Sequence, residues 1–174
     1  MKGFLLDTNV ISELRRPRPN ADVVAFVAAR AEDDLFISDV TLAEIRFGIE
    51  QVADAGRRVA IRVWLDNVLR PLFGGRTLAI NEDVLLRWRL LLEAGRQRGH
   101  TFGQLDLFIA ATAAENDLIV VSRDTVHFIA AHVPVLDPWT ATFTSSAGDE
   151  RTVPDLTEGD LLNHLSAPTR AGRR

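Results

Sequence analysis

Apolar residues along this chain follow two rhythms. Short continuous runs stand at about 3–7, 34–38, 77–80, 118–122 and 133–136, and the stretches between them repeat apolar positions three or four residues apart. A continuous run bounded by turn residues is the pattern of a strand buried on both faces, and the wider spacing is that of a helix with one buried face. Helices are thus predicted over 20–31, entered through Asn20 as N-cap, and over 40–53, with Leu42, Ile45, Ile49 and Val52 together. Three more are predicted over 57–70, closed by Pro71, over 82–98, ending at Gly99, and over 105–116. Strands alternating with helices imply an α/β fold with a parallel sheet covered on both faces. The pair 40–53 and 57–70, joined around Ala55-Gly56, reads as a helical hairpin inserted between the second and third strands.

After Trp139 the pattern changes. Residues 144–174 are polar and turn-rich, with one apolar knot at Leu161, Leu162 and Leu165. The expectation is a main domain over 1–143 and a C-terminal extension over 144–174 that carries one short docked helix at 157–165.

Composition narrows the class. At 174 residues, 47% hydrophobic and 25% charged, the chain suffices for one domain with a sizeable core. The absence of cysteine excludes disulfides, thiolate zinc sites and cysteine nucleophiles, and fits a reducing compartment. No uninterrupted apolar stretch is long enough to span a membrane, and the N-terminal run is too short for a signal peptide, so a soluble cytoplasmic protein is expected. A net charge of −4 gives no global attraction to nucleic acid. Lys2 is the single lysine among 20 basic residues, leaving 19 arginines, whose planar fork suits phosphate; a coding bias explains the skew equally well.

The chemistry lies in four acids. Asp7 ends the first apolar run, Asp124 follows the fourth, Asp106 opens the Ala-rich helical stretch and Glu44 sits inside an amphipathic one. In open α/β sheets the ligand crevice lies outside the carboxyl ends of the strands, where Asp7 and Asp124 stand. Carboxylates gathered there repel one another, and a hard divalent cation such as Mg²⁺ or Mn²⁺ is their natural counter-charge. Each acid also has a plainer use. Asp7, Thr8 and Asn9 all cap helices well, and Ser122 and Asp124 suit the start of a short helix. Asp106 in a first turn is favoured by the helix dipole. Glu44 faces either the site or solvent, since successive helical residues turn by about 100°. His100, His127, His132 and His164 lack the paired spacing of a zinc site, and no phosphate-binding glycine loop or nucleophile elbow is present.

Four segments carry a resemblance: Leu5-Leu6-Asp7-Thr8-Asn9-Val10-Ile11-Ser12-Glu13, Ser38-Asp39-Val40-Thr41-Leu42-Ala43-Glu44-Ile45-Arg46-Phe47-Gly48, Asp106-Leu107-Phe108-Ile109-Ala110-Ala111-Thr112-Ala113 and Val121-Ser122-Arg123-Asp124. With the closing Val133-Pro134-Val135-Leu136-Asp137-Pro138-Trp139, the chain over about 3–139 resembles the PIN-domain ribonucleases. The closer likeness is to the VapC-type toxins of bacterial type II toxin–antitoxin pairs, FitB-like branch. The resemblance implies a three-layer α/β/α fold with a five-stranded parallel sheet. It implies Mg²⁺- or Mn²⁺-assisted hydrolysis of RNA phosphodiesters at Asp7, Glu44, Asp106 and Asp124. It also implies homodimerisation, neutralisation by a cognate antitoxin, and contact with operator DNA only through that antitoxin. Thr8, Asn9, Ser122 and Arg123 become supporting or substrate-contacting residues. One position departs: many members carry an Asp-Phe pair after the fourth acid, where this chain has His127-Phe128. If that Asp supports the site, its replacement implies weaker or more pH-sensitive metal binding.

On this reading Asp7 and Asp106 hold the principal ion, and Asp124 and Glu44 complete the shell or hold a second one. Arg15, Arg16 and Arg18 form an RNA rim or a docking place for an acidic partner. The apolar faces of 40–53 and 57–70 serve either the core or an antitoxin groove. Two rivals remain. A haloacid-dehalogenase-type phosphatase requires a second Asp where Asn9 stands and a late lysine that the chain lacks. A weakly active or inactive PIN domain would act mainly as a partner in an antitoxin–operator DNA complex.

Overall fold

The structure is a computed structural model, and it describes residues 1–167. Its centre is a single sheet in the order β3-β2-β1-β4-β5-β6-β7. The strands are β1 (Phe4–Leu6), β2 (Leu35–Ser38), β3 (Thr77–Leu78), β4 (Ile119–Val121), β5 (Val135–Asp137), β6 (Thr142–Thr144) and β7 (Glu150–Thr152). The first five in that order run parallel, and β6 and β7 add on antiparallel beyond β5. The sheet therefore has seven strands and is mixed, where five parallel strands were expected. The two extra strands are three-residue segments (Thr-Phe-Thr and Glu-Arg-Thr) without a continuous apolar run, so pairing and not hydrophobic pattern defines them. Their connection is a tight turn in which Gly148, at φ 91°, takes a conformation that side chains disfavour.

Successive strand residues point to opposite faces, and the core divides accordingly. Phe4, Leu6, Ile119 and Val121 face one layer, where they meet Val10, Ile11, Val23, Phe26, Leu42 and Ile61. Leu5, Val120 and Val135 face the other, against Leu107, Ala110 and Phe128. The first layer is built from α1 (Thr8–Leu14), α2 (Ala21–Ala28), α3 (Asp39–Glu50) and α4 (Ala55–Trp64). After α4 come a π-helical turn, Leu65–Leu69, and α5 (Arg70–Leu72). The second layer is built from α6 (Glu82–Gln97), α7 (Gln104–Asn116) and α8 (Val126–Ala130). Side-chain caps start the helices where the sequence offers them: Asn20 on α2, Ser38 on α3, Asp54 on α4 and Asn81 on α6.

Pro71 does not close the helix over 57–70. It stands in the first turn of α5, and the turn before it widens to the π form, which accommodates a residue that offers no N–H. The C-terminal segment folds back on the first layer. Val153, Leu156, Leu161 and Leu165 are buried in the same core as Phe4 and Phe26. The Arg30 guanidinium donates to the carbonyls of Leu156 (3.2 Å) and Glu158 (2.6 Å). Helix α9 (Leu161–Ser166) begins four residues later than the 157–165 expected. No helix of the described residues is long and apolar enough to cross a membrane.

Candidate active site

The strand β1 has β2 on one side and β4 on the other, so the chain's path reverses direction between β1 and β4. Such a switch point opens a crevice at the carboxyl ends of the two strands. Leu6 is level with Val121, and the Asp7 N–H donates to the Val121 carbonyl at 3.0 Å, so Asp7 and Ser122 leave the sheet side by side. A cleft of about 340 Å³ stands there, and Asp7, Glu44, Asp106 and Asp124 all line it. Asp7 comes from the β1–α1 junction, Glu44 from α3, Asp106 from the first turn of α7 and Asp124 from the loop before α8. Four segments scattered along the sequence thus reach one cavity.

Asp7 is buried, with 6% of its surface exposed. Its Oδ1 accepts the Thr8 N–H at 2.6 Å, and its Oδ2 accepts Asn9 Nδ2 (2.8 Å) and Ser122 Oγ (2.6 Å). Asn9 Nδ2 also donates to Ser122 Oγ at 2.8 Å, and Asp124 donates its backbone N–H to that oxygen at 3.0 Å. The Thr8 hydroxyl donates to Glu44 Oε2. Burial pushes the Asp7 carboxyl up to about 6 despite the Ser122 and Thr8 hydrogen bonds, and the charges of Glu44 and Asp106 push the same way. Asp106 is raised as well, first by burial and then by Asp124, while His127, with Nε2 at 3.7 Å, draws it down. The cleft is short of positive charge.

The donors fit a hard divalent cation: all four are carboxylates, and two are held above their ordinary range by burial and mutual repulsion. Among the described residues no three acidic or imidazole side chains converge closely enough to hold one ion between them. Mg²⁺ commonly takes only one or two carboxylates and keeps several waters. Asp7, held by three hydrogen bonds, and Asp106 both line the cleft.

The eight residues singled out from sequence do not all play one part here. Asp7, Thr8, Asn9, Glu44, Asp106, Arg123 and Asp124 line the cleft, and Ser122 lies buried beneath them, bridging Asp7 and Asp124. Asp7 also caps α1, so its plainer use and its place in the cleft coexist. Of the three arginines after α1, Arg16 reaches the cleft but pairs with Glu13 at 2.8 Å, and Arg15 lies over the Trp64 ring at 5.6 Å. Three cleft residues were not singled out from sequence: Ser12, Glu13 and Trp139. Glu13 lines the cleft with 4% of its surface exposed, yet it is occupied by Arg16 and the Asn20 N–H, so it reads as structural. Trp139 arrives from the turn after β5, and only its place in the closing motif marked it.

The chain belongs to the PIN-domain family, which matches residues 4–132. It is 38% identical to the toxin FitB of Neisseria gonorrhoeae over 136 residues, 78% of this chain and 98% of FitB. It is 35% identical to the VapC ribonuclease Y4jK of Sinorhizobium fredii, over 78% of this chain and 97% of that protein. Among solved structures, FitAB bound to the IR36 DNA fragment matches with a TM-score of 0.74 at 36% identity, covering 78% of this chain and 95% of that one.

Proposed function

We propose that this chain is a metal-dependent endoribonuclease that hydrolyses RNA phosphodiester bonds, and that it serves as the toxin of a toxin–antitoxin pair. The observation that carries the reading is the convergence of Asp7, Glu44, Asp106 and Asp124 on one cleft at the β1–β4 switch point. Its relatives include a VapC ribonuclease and the toxin FitB, which supports the same activity and role.

A bound Mg²⁺ or Mn²⁺ would acidify a water and offset charge on the phosphorane-like transition state. Asp7 and Asp106 are the ligands proposed for it, with Asp124 and Glu44 completing the shell through water. Thr8 holds Glu44 in place, and Asn9 and Ser122 orient Asp7. Glu44 or Asp124, at the open side, orients the attacking water as general base. Arg123, exposed at the rim, contacts a substrate phosphate.

The partner proposed is a cognate antitoxin, with operator DNA reached only through it, as befits a chain similar to one solved in a DNA-bound FitAB complex. An apolar cleft of about 380 Å³ beside Leu14, Val27, Trp64 and Leu69, edged by half-exposed Val68 and Leu72, suits an amphipathic helix from that partner. A homodimer acting in the cytoplasm completes the reading. The test is RNA cleavage by antitoxin-free protein that needs a divalent cation and disappears in Asp106→Asn. A folded protein that cuts no RNA in any divalent cation, yet binds operator DNA once its antitoxin is added, would favour the non-catalytic partner role.

A further inference from the structure

The cleft that gathers the four acids also holds an aromatic ring and a cation that makes no ion pair among the described residues. Trp139 and Arg123 both line it, and the Arg123 guanidinium carbon lies 5.5 Å from the centre of the indole ring. Hydrogen bonds hold the Trp139 turn and the Arg123 backbone. Trp139 stands in a turn fixed by Asp137, whose Oδ1 accepts the Trp139 N–H and whose Oδ2 accepts the Thr140 hydroxyl, each at 2.8 Å. Asp137 itself is buried at the end of β5, the strand beside β4. The Arg123 N–H points to Asn9 Oδ1 at 3.4 Å, and Asn9 in turn donates to Asp7. The indole packs one side against the first core layer and gives another to the cleft.

Charge singles out the pair further. Five carboxylates line the cleft, those of Asp7, Glu13, Glu44, Asp106 and Asp124, against two guanidinium groups. Arg16 is tied to Glu13, and Arg123 makes no ion pair among the described residues. An indole with a guanidinium carbon 5.5 Å from its ring centre offers a π-surface beside N–H donors. That combination matches an unpaired nucleobase next to a phosphate. A paired duplex keeps its bases stacked on one another and has no free face to offer.

We propose that Trp139 and Arg123 form a nucleotide subsite that stacks an unpaired base of single-stranded RNA beside the phosphate to be cut. The proposal rests on the nuclease reading above and adds to it the residues that hold the base next to the phosphate to be cut. Asp137 acts as a positioning residue, holding the Trp139 turn.

The experiment uses the full-length Asp7→Asn protein, chosen so that RNA is held and not cut, in a Trp64→Phe, Trp88→Phe background that leaves Trp139 as the reporter. Fluorescently labelled ten-nucleotide single-stranded RNA of random sequence is titrated in, reading anisotropy and tryptophan emission together. The expected result is quenching of Trp139 that saturates with the anisotropy change, and none with a blunt RNA duplex. Trp139→Ala should weaken binding about 5- to 150-fold, the range of one base–aromatic stack, and Trp139→Phe should retain most of it. Binding by anisotropy with Trp139 emission unmoved, or equal affinity in a folded Trp139→Ala protein, would overturn the subsite and leave the nuclease reading standing. Absence of RNA binding with Trp139 intact would overturn both, and the emission readout decides the matter even if Trp139→Ala fails to fold.

Discussion

Ser122 Oγ donates to Asp7 Oδ2 at 2.6 Å across 115 positions of sequence, and accepts the backbone N–H of Asp124 at 3.0 Å. One fully buried hydroxyl thereby fixes two of the four cleft carboxylates relative to each other. The bond also restrains the rise of the Asp7 carboxyl. Ser122→Ala should cost about 1–2 kcal/mol of stability. It should also shift the acid limb of the cleavage pH profile upward, because Asp7 then holds its proton to higher pH. Denaturant titration and a pH–rate profile check the two effects separately.

Asp7 makes stability depend on pH in a defined direction. Its carboxyl titrates at about 6 in the folded protein against an ordinary 3.8, so between those values the folded state binds more protons than the unfolded one. Stability from this group is therefore greatest at low pH and falls as pH rises through that window, by roughly 3 kcal/mol at most. Urea unfolding of metal-free protein at pH 5 and pH 7.5 should show the part of this loss that falls above pH 5, roughly 1.4 kcal/mol, and Asp7→Asn should remove it. Added Mg²⁺ or Mn²⁺ should restore stability at pH 7.5 in the unaltered protein by mass action, and much less in Asp7→Asn.

Gly103 bears on Asp106. A Cβ at position 103 would lie 2.6 Å from Asp106 Oδ2, while the backbone there, at φ −62°, accepts any residue. Gly103→Ala should leave the fold intact and push the Asp106 carboxylate out of line. A displacement of about 1 Å in a catalytic group costs up to about 100-fold in rate. The expected outcome is kcat/KM lowered by about 10- to 100-fold, with a melting temperature within a few degrees of the unaltered protein.

Leu161, 1% exposed, joins the first core layer from the C-terminal segment. If that segment folds as one unit with the sheet, Leu161→Ala should lower global stability by about 2–5 kcal/mol in a single unfolding transition. A separate early transition, with the main one unmoved, would show instead that the segment is an independent appendage.

The parallel strands and main helices were legible because burial on two faces and on one face leaves different periodicities. The four acids were legible for a related reason: strand ends at a switch point are where ligands sit, and Asp7 and Asp124 stood at two such ends. What escaped notice depends on contacts remote in sequence. The strands β6 and β7 carry three residues each and are defined by partners, not by an apolar run. Pro71 signals a helix end locally, yet the widened turn before it lets the helix continue. Trp139 has no periodicity to place it in a cleft; the Asp137 turn does that. His127 was visible as a departure from the family pattern, and only the structure sets its Nε2 3.7 Å from Asp106.

The central claim is that Asp7 and its neighbouring acids cut RNA with the help of a divalent cation. The most direct measurement is cleavage of a mixed RNA pool by antitoxin-free protein in Mn²⁺, in Mg²⁺ or in EDTA, beside a folded Asp7→Asn control. The account predicts cutting in at least one of the two cations, none in EDTA and none by Asp7→Asn. Cutting that survives in Asp7→Asn, or that proceeds in EDTA, would contradict it.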